Sequence, residues 1–498
     1  MKVLFVSSEF ADYAKAGGLG DVSAGLPRAL CRRGVDVRVL MPAYPAVLSK
    51  ANNITVVAHL PGEAGIAPCC ICEAQTTDGL TLYLVLEPSL YQRTGNPYGR
   101  EGRDWPDNDL RFARLSLAAA EIAAGRAGIA WRPDLLHVND WQGGLAPAYL
   151  RWRGAHVPTA LTIHNIAYQG LFPKECMARL GIPERAFDIN GVEFHGNVSF
   201  LKAGLINADH VTTVSPTYAR EITTEAHGGG LHGLTSGIAA EGRLSGIVNG
   251  IDESWDPASD PHLPHHFEAD NLSGKQQNAD LVRTGLCLTP SEGPLFGVVS
   301  RLVHQKGLDI VADTARDIVR EGGQIAILGL GDPDTEHMLS RLARSHRDDI
   351  GLLIGFNEPM ARRIVAASDF CLMPSRFEPC GLTQMQAQRY GTLPIAHATG
   401  GLADTIDDGE TGFLFSDLSG EGLFSACRRA FDAFADHGML AEMRQSAMAR
   451  CFHWSGAAAE YEALYARLMG RIVGHTASPV VPSRRRKGLA DVSLAAAA

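Results

Sequence analysis

The chain has 498 residues, 45% of them hydrophobic and 20% charged, with a formal net charge of −10. That length exceeds one ordinary core and implies two domains, each large enough to bury a core without staples. The negative balance argues against a nucleic-acid footprint over most of the surface, and no run of about 18 uncharged apolar residues marks a membrane span.

The chain opens on MKVLFVSSEF. This short apolar run reads as a first strand, since a signal peptide needs a longer apolar region and a small-residue cleavage site. Ten cysteines are scattered along the chain; Cys69, Cys70 and Cys72 cluster, with no Cys/His pair at zinc-site spacing. They read as reduced thiols of a cytoplasmic protein.

Short apolar runs then alternate with helical patterns. Residues 2–7 lead through a glycine-rich loop into a helix ending near Arg33-Gly34. VDVRVLMP (35–42), LTLYLVLE (80–87), DLLHVND (134–140), TALTIHN (159–165) and HVTTVSP (210–216) follow as strands. The alternation predicts a parallel sheet with helices on both faces. Residues 225–290 break the pattern with Gly, His, Pro and Asp around one apolar run, GIVNGID (246–252). A second series follows at 295–300, 324–331, 350–356, 369–375 and 392–398. The fold class is therefore α/β: two Rossmann-like, doubly wound domains, 1–245 and 246–454, facing a central cleft, with the 225–255 region suited to a hinge. Residues 455–472 have helical periodicity, and 473–498, with SRRRKG and four terminal alanines, read as a disordered tail.

Four loops at strand ends carry chemistry. Lys15-Ala16-Gly17-Gly18-Leu19-Gly20-Asp21 joins strand 1 to a helix, where glycines admit a ligand to the backbone and free N–H groups favour anionic oxygens. The spacing is not GxGxxG and no acidic residue closes strand 2, which argues against a nicotinamide-binding domain. Arg301 and Lys306 in SRLVHQKG place two cations five residues apart, a fork and a point charge suited to a diphosphate. Glu378, Cys380, Gly381, Leu382 and Thr383 lie in PSRFEPCGLTQ, a turn opening a helix. A carboxylate beside an anion site would be repelled, so Glu378 is expected to serve neutral sugar hydroxyls. Thr399-Gly400-Gly401 is either a plain turn or a second close approach to ligand. In the first half, His137, Asn139, Asp140 and Trp141 end one strand, and His164 and Asn165 the next, followed by Tyr168-Gln169-Gly170; such convergence suits a hydroxyl-rich substrate.

KAGGLGD, HVNDWQ, HNIAYQG, GIVNGID, SRLVHQKG, PSRFEPCGLTQ and TGGLADT, in this order over nearly the whole chain, resemble bacterial glycogen synthases and plant starch synthases. The resemblance implies a GT-B glycosyltransferase that retains anomeric configuration, takes ADP-glucose as donor and α-1,4-glucan as acceptor, and needs no metal or other cofactor. It also implies that helix 455–472 crosses back to the first domain. It implies that Lys15, Gly18 and Asp21 border the donor, Asp140 is needed for activity, and His164 contacts the transferred glucose. Arg301 and Lys306 would neutralise the diphosphate, Glu378 face the glucose hydroxyls, and Cys380, Gly381, Leu382 and Thr383 wrap glucose and phosphate. Tyr98 resembles a tyrosine near the adenine, and Asn249 the asparagine of NGID. Ala16, Asn139, His232 and His397 depart from the usual pattern. Retention is open, on the residues alone, to a carboxylate nucleophile or to attack from the face the diphosphate leaves; the resemblance implies the second. A non-catalytic sugar-nucleotide binder would be expected to lose Arg301, Lys306 or Glu378, and all three are present.

Overall fold

A computed structural model describes residues 1–470. The tail expected over 473–498, and the last two positions of the helix expected over 455–472, lie outside them. The first half supplies β1 (Lys2–Val6), α1 (Gly18–Arg32), β2 (Asp36–Pro42), β3 (Asn52–Leu60), β4 (Cys69–Gln75), β5 (Thr81–Leu86), β6 (Leu135–Asn139), β7 (Thr159–Ile163), β8 (His210–Thr213), α2 (Pro216–Glu221) and β9 (Leu244–Gly246). Among the described residues these strands form one sheet in the order β9-β8-β7-β6-β1-β2-β5-β4-β3. From β9 to β5 every pair is parallel. The residues of β6 and β7 are all buried, as continuous apolar strands between two helical layers must be.

The expectation of a wholly parallel sheet fails at one edge. β3, β4 and β5 pair antiparallel. β3 exposes most of its residues to solvent, which an antiparallel edge tolerates because it needs only one covered face. The cysteine cluster lies on β4, and all ten cysteines are free.

The second half contributes α3 (Ser273–Gly285), β10 (Leu295–Val299), β11 (Gln324–Gly329), β12 (Ile350–Ile354), β13 (Phe370–Met373), α4 (Thr383–Arg389), β14 (Leu393–His397), α5 (Gly400–Thr405) and β15 (Phe413–Phe415). These strands form a parallel sheet in the order β12-β11-β10-β13-β14-β15. The order reverses between β10 and β13, so the crevice opens at their carboxyl ends.

The stretch 225–290 is more ordered than its composition suggests. It holds the helix His232–Ala240, β9 and α3. α3 is anchored by Lys275, whose buried ammonium donates to the carbonyls of Ala366 and Tyr390 and to Thr392 Oγ1 at 2.7, 3.0 and 2.6 Å. Three acceptors satisfy all three protons of a group that burial alone would expel.

The last described helix, α6 (Trp454–Leu468), packs against α1 and the first sheet. Tyr465 Oη lies 2.7 Å from Nδ1 of the buried His137, and Trp454 is 4% exposed. A Cβ added at Gly25 would stand 2.1 Å from Trp454 Nε1, so the indole sits where only glycine leaves room. Trp454→Ala should therefore destabilise the first half by about 3–5 kcal/mol, the usual cost of emptying a large aromatic site. A drop in the urea midpoint at unchanged slope is the expected result; an unchanged midpoint would show that α6 is dispensable to the core.

Candidate active site

β1 runs out in Ser7, Ser8 and Glu9. Glu9 is 3% exposed and turns beneath the glycine loop, where its Oε2 accepts the N–H groups of Ala16 and Gly17 at 2.7 and 2.9 Å. Charge-assisted bonds to two consecutive amides fix the loop from below. Lys15 stands above it, exposed and paired with Asp21 at 2.8 Å. Burial raises the Asp21 pKa, and Lys15 opposes the rise. Nothing in the sequence reading singled out Glu9; the only signal is an acidic residue directly after an apolar strand.

Tyr98 does not stand free for an adenine. Its ring packs against Phe112 and Trp141, with centroids 6.0 and 6.5 Å away, and its hydroxyl donates to Glu9 Oε1. A side chain held at both ends supports the glycine loop instead.

At the ends of β6 and β7, Asn139 and Thr162 are register neighbours. Asp140 follows with φ +51°, a left-handed conformation rare outside glycine. Its Oδ1 accepts the His164 N–H at 2.7 Å. Burial pushes its pKa up to about 7, opposed by the backbone N–H groups of His164 and Asn165. Asp140 thus shapes the His164 turn. His164 itself places Nε2 2.9 Å from Asn139 Oδ1, and burial lowers its pKa to about 3, so the ring is neutral. His137, singled out with these residues, is wholly buried between Tyr465 and Thr162 and belongs to the core.

In the second half, Gln305 sews two loops together: its carbonyl accepts the Arg376 N–H at 2.9 Å and its Nε2 donates to the Phe377 carbonyl at 3.0 Å. Lys306 and Glu378 form a largely buried ion pair, with Ser375 Oγ donating to the same Glu378 oxygen at 3.1 Å. Beyond the sugar hydroxyls expected of it, Glu378 carries a second demand: a carboxylate this buried requires a countercharge, and Lys306 supplies it. Arg301 is exposed, with a single 3.3 Å bond to Gln305 Oε1. Gly381 takes φ +71° in the turn before α4. Cys380 is hydrogen-bonded to Asn249, and burial pushes its thiol up to about 12, which keeps it protonated. His397 Nδ1 donates to the Ser375 carbonyl at 2.8 Å, so this departure from the family pattern holds the Glu378 turn.

The halves touch through α2. Ser215 Oγ donates to the Pro379 carbonyl at 2.7 Å, and Thr217 donates its N–H and hydroxyl to Asp404 at 2.7 and 2.6 Å. Glu221 accepts from Thr399 Oγ1 and the Gly400 N–H at 2.9 and 3.0 Å. Thr399-Gly400-Gly401 is thus a contact between domains.

Two cavities result. One, of about 220 Å³, lies between the halves, lined by Ala16, Gly17 and Gly18 on one side and by Ser300, Arg301, Lys306, Ser375 and Thr383 on the other. A second, of about 640 Å³, opens on the first half and is walled by Trp105, Trp141, Tyr168, Phe172 and Phe194, with Asn108, Gln169 and His195 among them. Asp140, His164, Tyr98 and Asn249 line neither. Phe356, 87% exposed, stands with Leu330 at the carboxyl ends of β12 and β11, on the same rim as Arg301. Among the described residues no three His, Cys, Asp or Glu side chains gather where they could hold a metal ion, and no helix is long and apolar enough to cross a membrane.

Comparisons with known proteins bear on this arrangement. A family model for the starch synthase catalytic domain matches residues 2–237, and one for glycosyl transferases group 1 matches 293–432. The chain is 55% identical to glycogen synthase 1 of Bradyrhizobium diazoefficiens over 92% of this chain and 99% of that one. It is 54% identical to the glycogen synthase of Pseudomonas putida over 94% and 90%. Among solved structures it is similar to the catalytic domain of starch synthase IV from Arabidopsis thaliana bound to ADP and acarbose, with a TM-score of 0.84, 32% identity and coverage of 94% and 99%.

The buried Asp140 carries a pH signature. It titrates near 7 in the folded chain, against about 3.9 in an unfolded one. The folded state holds the proton across that window, so charging the carboxylate erodes stability as pH rises from about 4 to about 7. Asp140→Asn keeps an oxygen for the His164 amide and does not titrate. Its urea midpoint relative to the parent should rise between about pH 5 and about pH 8; a constant or shrinking difference would contradict the burial.

Proposed function

This chain belongs to the glycogen and starch synthase family, and we propose from that premise how its two cavities divide the work of a glucosyltransferase of glycogen synthesis. ADP-glucose occupies the cavity between the halves. The non-reducing end of an α-1,4-glucan reaches it along the aromatic cleft of the first half. The meeting of the Gly17-Gly18 loop with Arg301, Lys306 and Thr383 around one cavity carries this assignment. Backbone of one half and cations of the other are what a diphosphate bridging the cleft requires. The Arabidopsis enzyme's ADP and acarbose are a nucleotide and an oligosaccharide, the two ligand classes these cavities suit.

In the transfer step the bond between glucose C1 and the β-phosphate oxygen breaks, and its electron pair stays on the phosphate. Arg301 and Lys306 stabilise that charge. Lys306, held by Glu378, stays aimed while the cavity is empty. The acceptor 4-hydroxyl attacks from the face the diphosphate leaves, which retains configuration, and its proton passes to the departing phosphate oxygen. The protonated Cys380 thiol offers no nucleophile. Phe356 supplies a platform for the adenine, and the aromatic walls of the second cleft cover the apolar faces of glucose units. Free thiols and a nucleotide-sugar donor fit the cytoplasm.

Parallel assays with ADP-glucose and UDP-glucose on glycogen test the donor, with faster transfer from ADP-glucose expected. Arg301→Ala and Lys306→Ala should each lower kcat by about two orders of magnitude or more while the protein stays folded, the cost of one preorganised donor, roughly 3–4 kcal/mol. Phe356→Ala should raise KM for ADP-glucose about tenfold and leave KM for glycogen unchanged, in line with base stacking. Near-normal turnover in either cation variant would remove the diphosphate from this cavity.

A further inference from the structure

The end of β6 presents a buried amide to the imidazole of His164. Asn139 is wholly buried. Its Nδ2 donates to the Val6 carbonyl at 2.9 Å, and its Oδ1 lies 2.9 Å from His164 Nε2. The first bond decides the second. A backbone carbonyl can only accept, so Val6 takes the amino end of the amide and turns the oxygen toward His164. An amide oxygen can also only accept, so His164 Nε2 must carry a proton. The geometry is set by the sheet, because β1 and β6 are adjacent parallel strands with Val6 opposite Val138. Asp140 holds the backbone of the same histidine through its N–H. Among the described residues neither ring nitrogen has another hydrogen-bond partner. A neutral imidazole with its one proton on Nε2 has a bare lone pair on Nδ1.

We propose that Asn139 is a positioning residue that fixes His164 as the Nε2–H tautomer, leaving Nδ1 to accept a hydrogen bond from a sugar hydroxyl. The functional part of this rests on the proposed glucosyl transfer and on the glucose contact that the family resemblance implies for His164, whose side chain lines neither cavity. Asp140 sets where the ring stands, and Asn139 sets which nitrogen holds the proton. His164 is then an acceptor toward substrate, since its single proton is committed to Asn139. Ionisable groups around this turn are Asp140, which follows β6, His137 on β6, Glu9 beyond the end of β1, and Tyr218 of α2, whose hydroxyl accepts the Ile166 N–H; none is hydrogen-bonded to the ring.

The test reads the proton directly. The full chain is labelled with ¹⁵N-histidine and long-range ¹H–¹⁵N correlations are recorded without substrate, the His164→Gln variant identifying the signal. A protonated-type Nε2 with a bare-type Nδ1 is expected at neutral pH. An Nδ1–H tautomer, an even mixture, or an imidazolium would overturn the proposal. Asn139→Leu removes the acceptor and should give mixed tautomers with kcat lowered about tenfold and KM for ADP-glucose changed less. Asn139→Asp keeps an acceptor oxygen and should draw a second proton onto the ring at neutral pH. A folded Asn139→Leu protein with the parental tautomer would overturn the role of Asn139. Should that variant not fold, the parental spectrum and Asn139→Asp decide. Full activity in His164→Ala would sink the glucose contact alone, leaving the tautomer assignment to stand on its spectrum.

Discussion

Each half of the molecule completes a helix start of the other. Asp404, in α5, accepts the N–H and hydroxyl of Thr217 in the first turn of α2, and Glu221, at the end of α2, accepts from Thr399 and the Gly400 N–H where α5 begins. Helix starts carry unsatisfied N–H groups and favour negative charge. Because each acid comes from the opposite half, separating the halves would strip both helix starts of their charged acceptors and leave water in their place. Ser215 adds a bond to the Pro379 carbonyl, which presses the Cys380-Gly381 turn against the first half. One edge of the cleft is therefore bonded shut. The other, between Gly18 and Arg301, is spanned by a cavity. The two sides of the cleft therefore differ, one closed by direct bonds and the other open to a cavity.

The cations around the cavity are stored in two ways. Lys15 pairs with Asp21 near the surface, where such pairs contribute little, so it can turn toward an arriving anion at small cost. Lys306 is held by Glu378 in a largely buried pair, where removing one partner would strand a charge. The two lysines thus differ in freedom: Lys15 can leave its partner cheaply, whereas Lys306 is tied to Glu378.

Strands with continuous apolar runs and the loops that follow them were legible in the sequence, because buried parallel strands leave an unbroken hydrophobic signature and ligand loops concentrate glycine and charge. The β3–β4 hairpin was not, since NNITVVAHL mixes polar and apolar residues at the exposed edge and CCICEAQ pairs with it inside the sheet. The motif residues of the cleft could be named, but not their partners. That Glu378 takes Lys306, that Glu9 grips Ala16 and Gly17, and that Tyr98 lies on Glu9 are facts of three-dimensional proximity between residues up to 89 positions apart. Phe356 closes the apolar run 350–356 and so reads as the buried end of a strand, whereas the structure leaves it in solvent.

The interdomain connection and the site are joined by the way the chain crosses between halves. It crosses once after β9 and returns before α6, and the two crossings are bonded to each other: Ile251 and His453 form a parallel bridge, with the Ile251 N–H on the Phe452 carbonyl at 2.8 Å. Gly250 lies against Trp454, where a Cβ would stand 2.6 Å from the tryptophan backbone. The two crossings are thus packed tightly against each other. Asn249 sits at their edge and is hydrogen-bonded to Cys380, in the turn that α2 also holds. Asn249 and the Cys380-Gly381 turn are therefore coupled, so the paired crossings are continuous with the turn that leads into Thr383 at the cavity. Glycine at 250 and asparagine at 249 answer two demands at neighbouring positions, one for close packing between the crossings and one for the bond to the Cys380 turn.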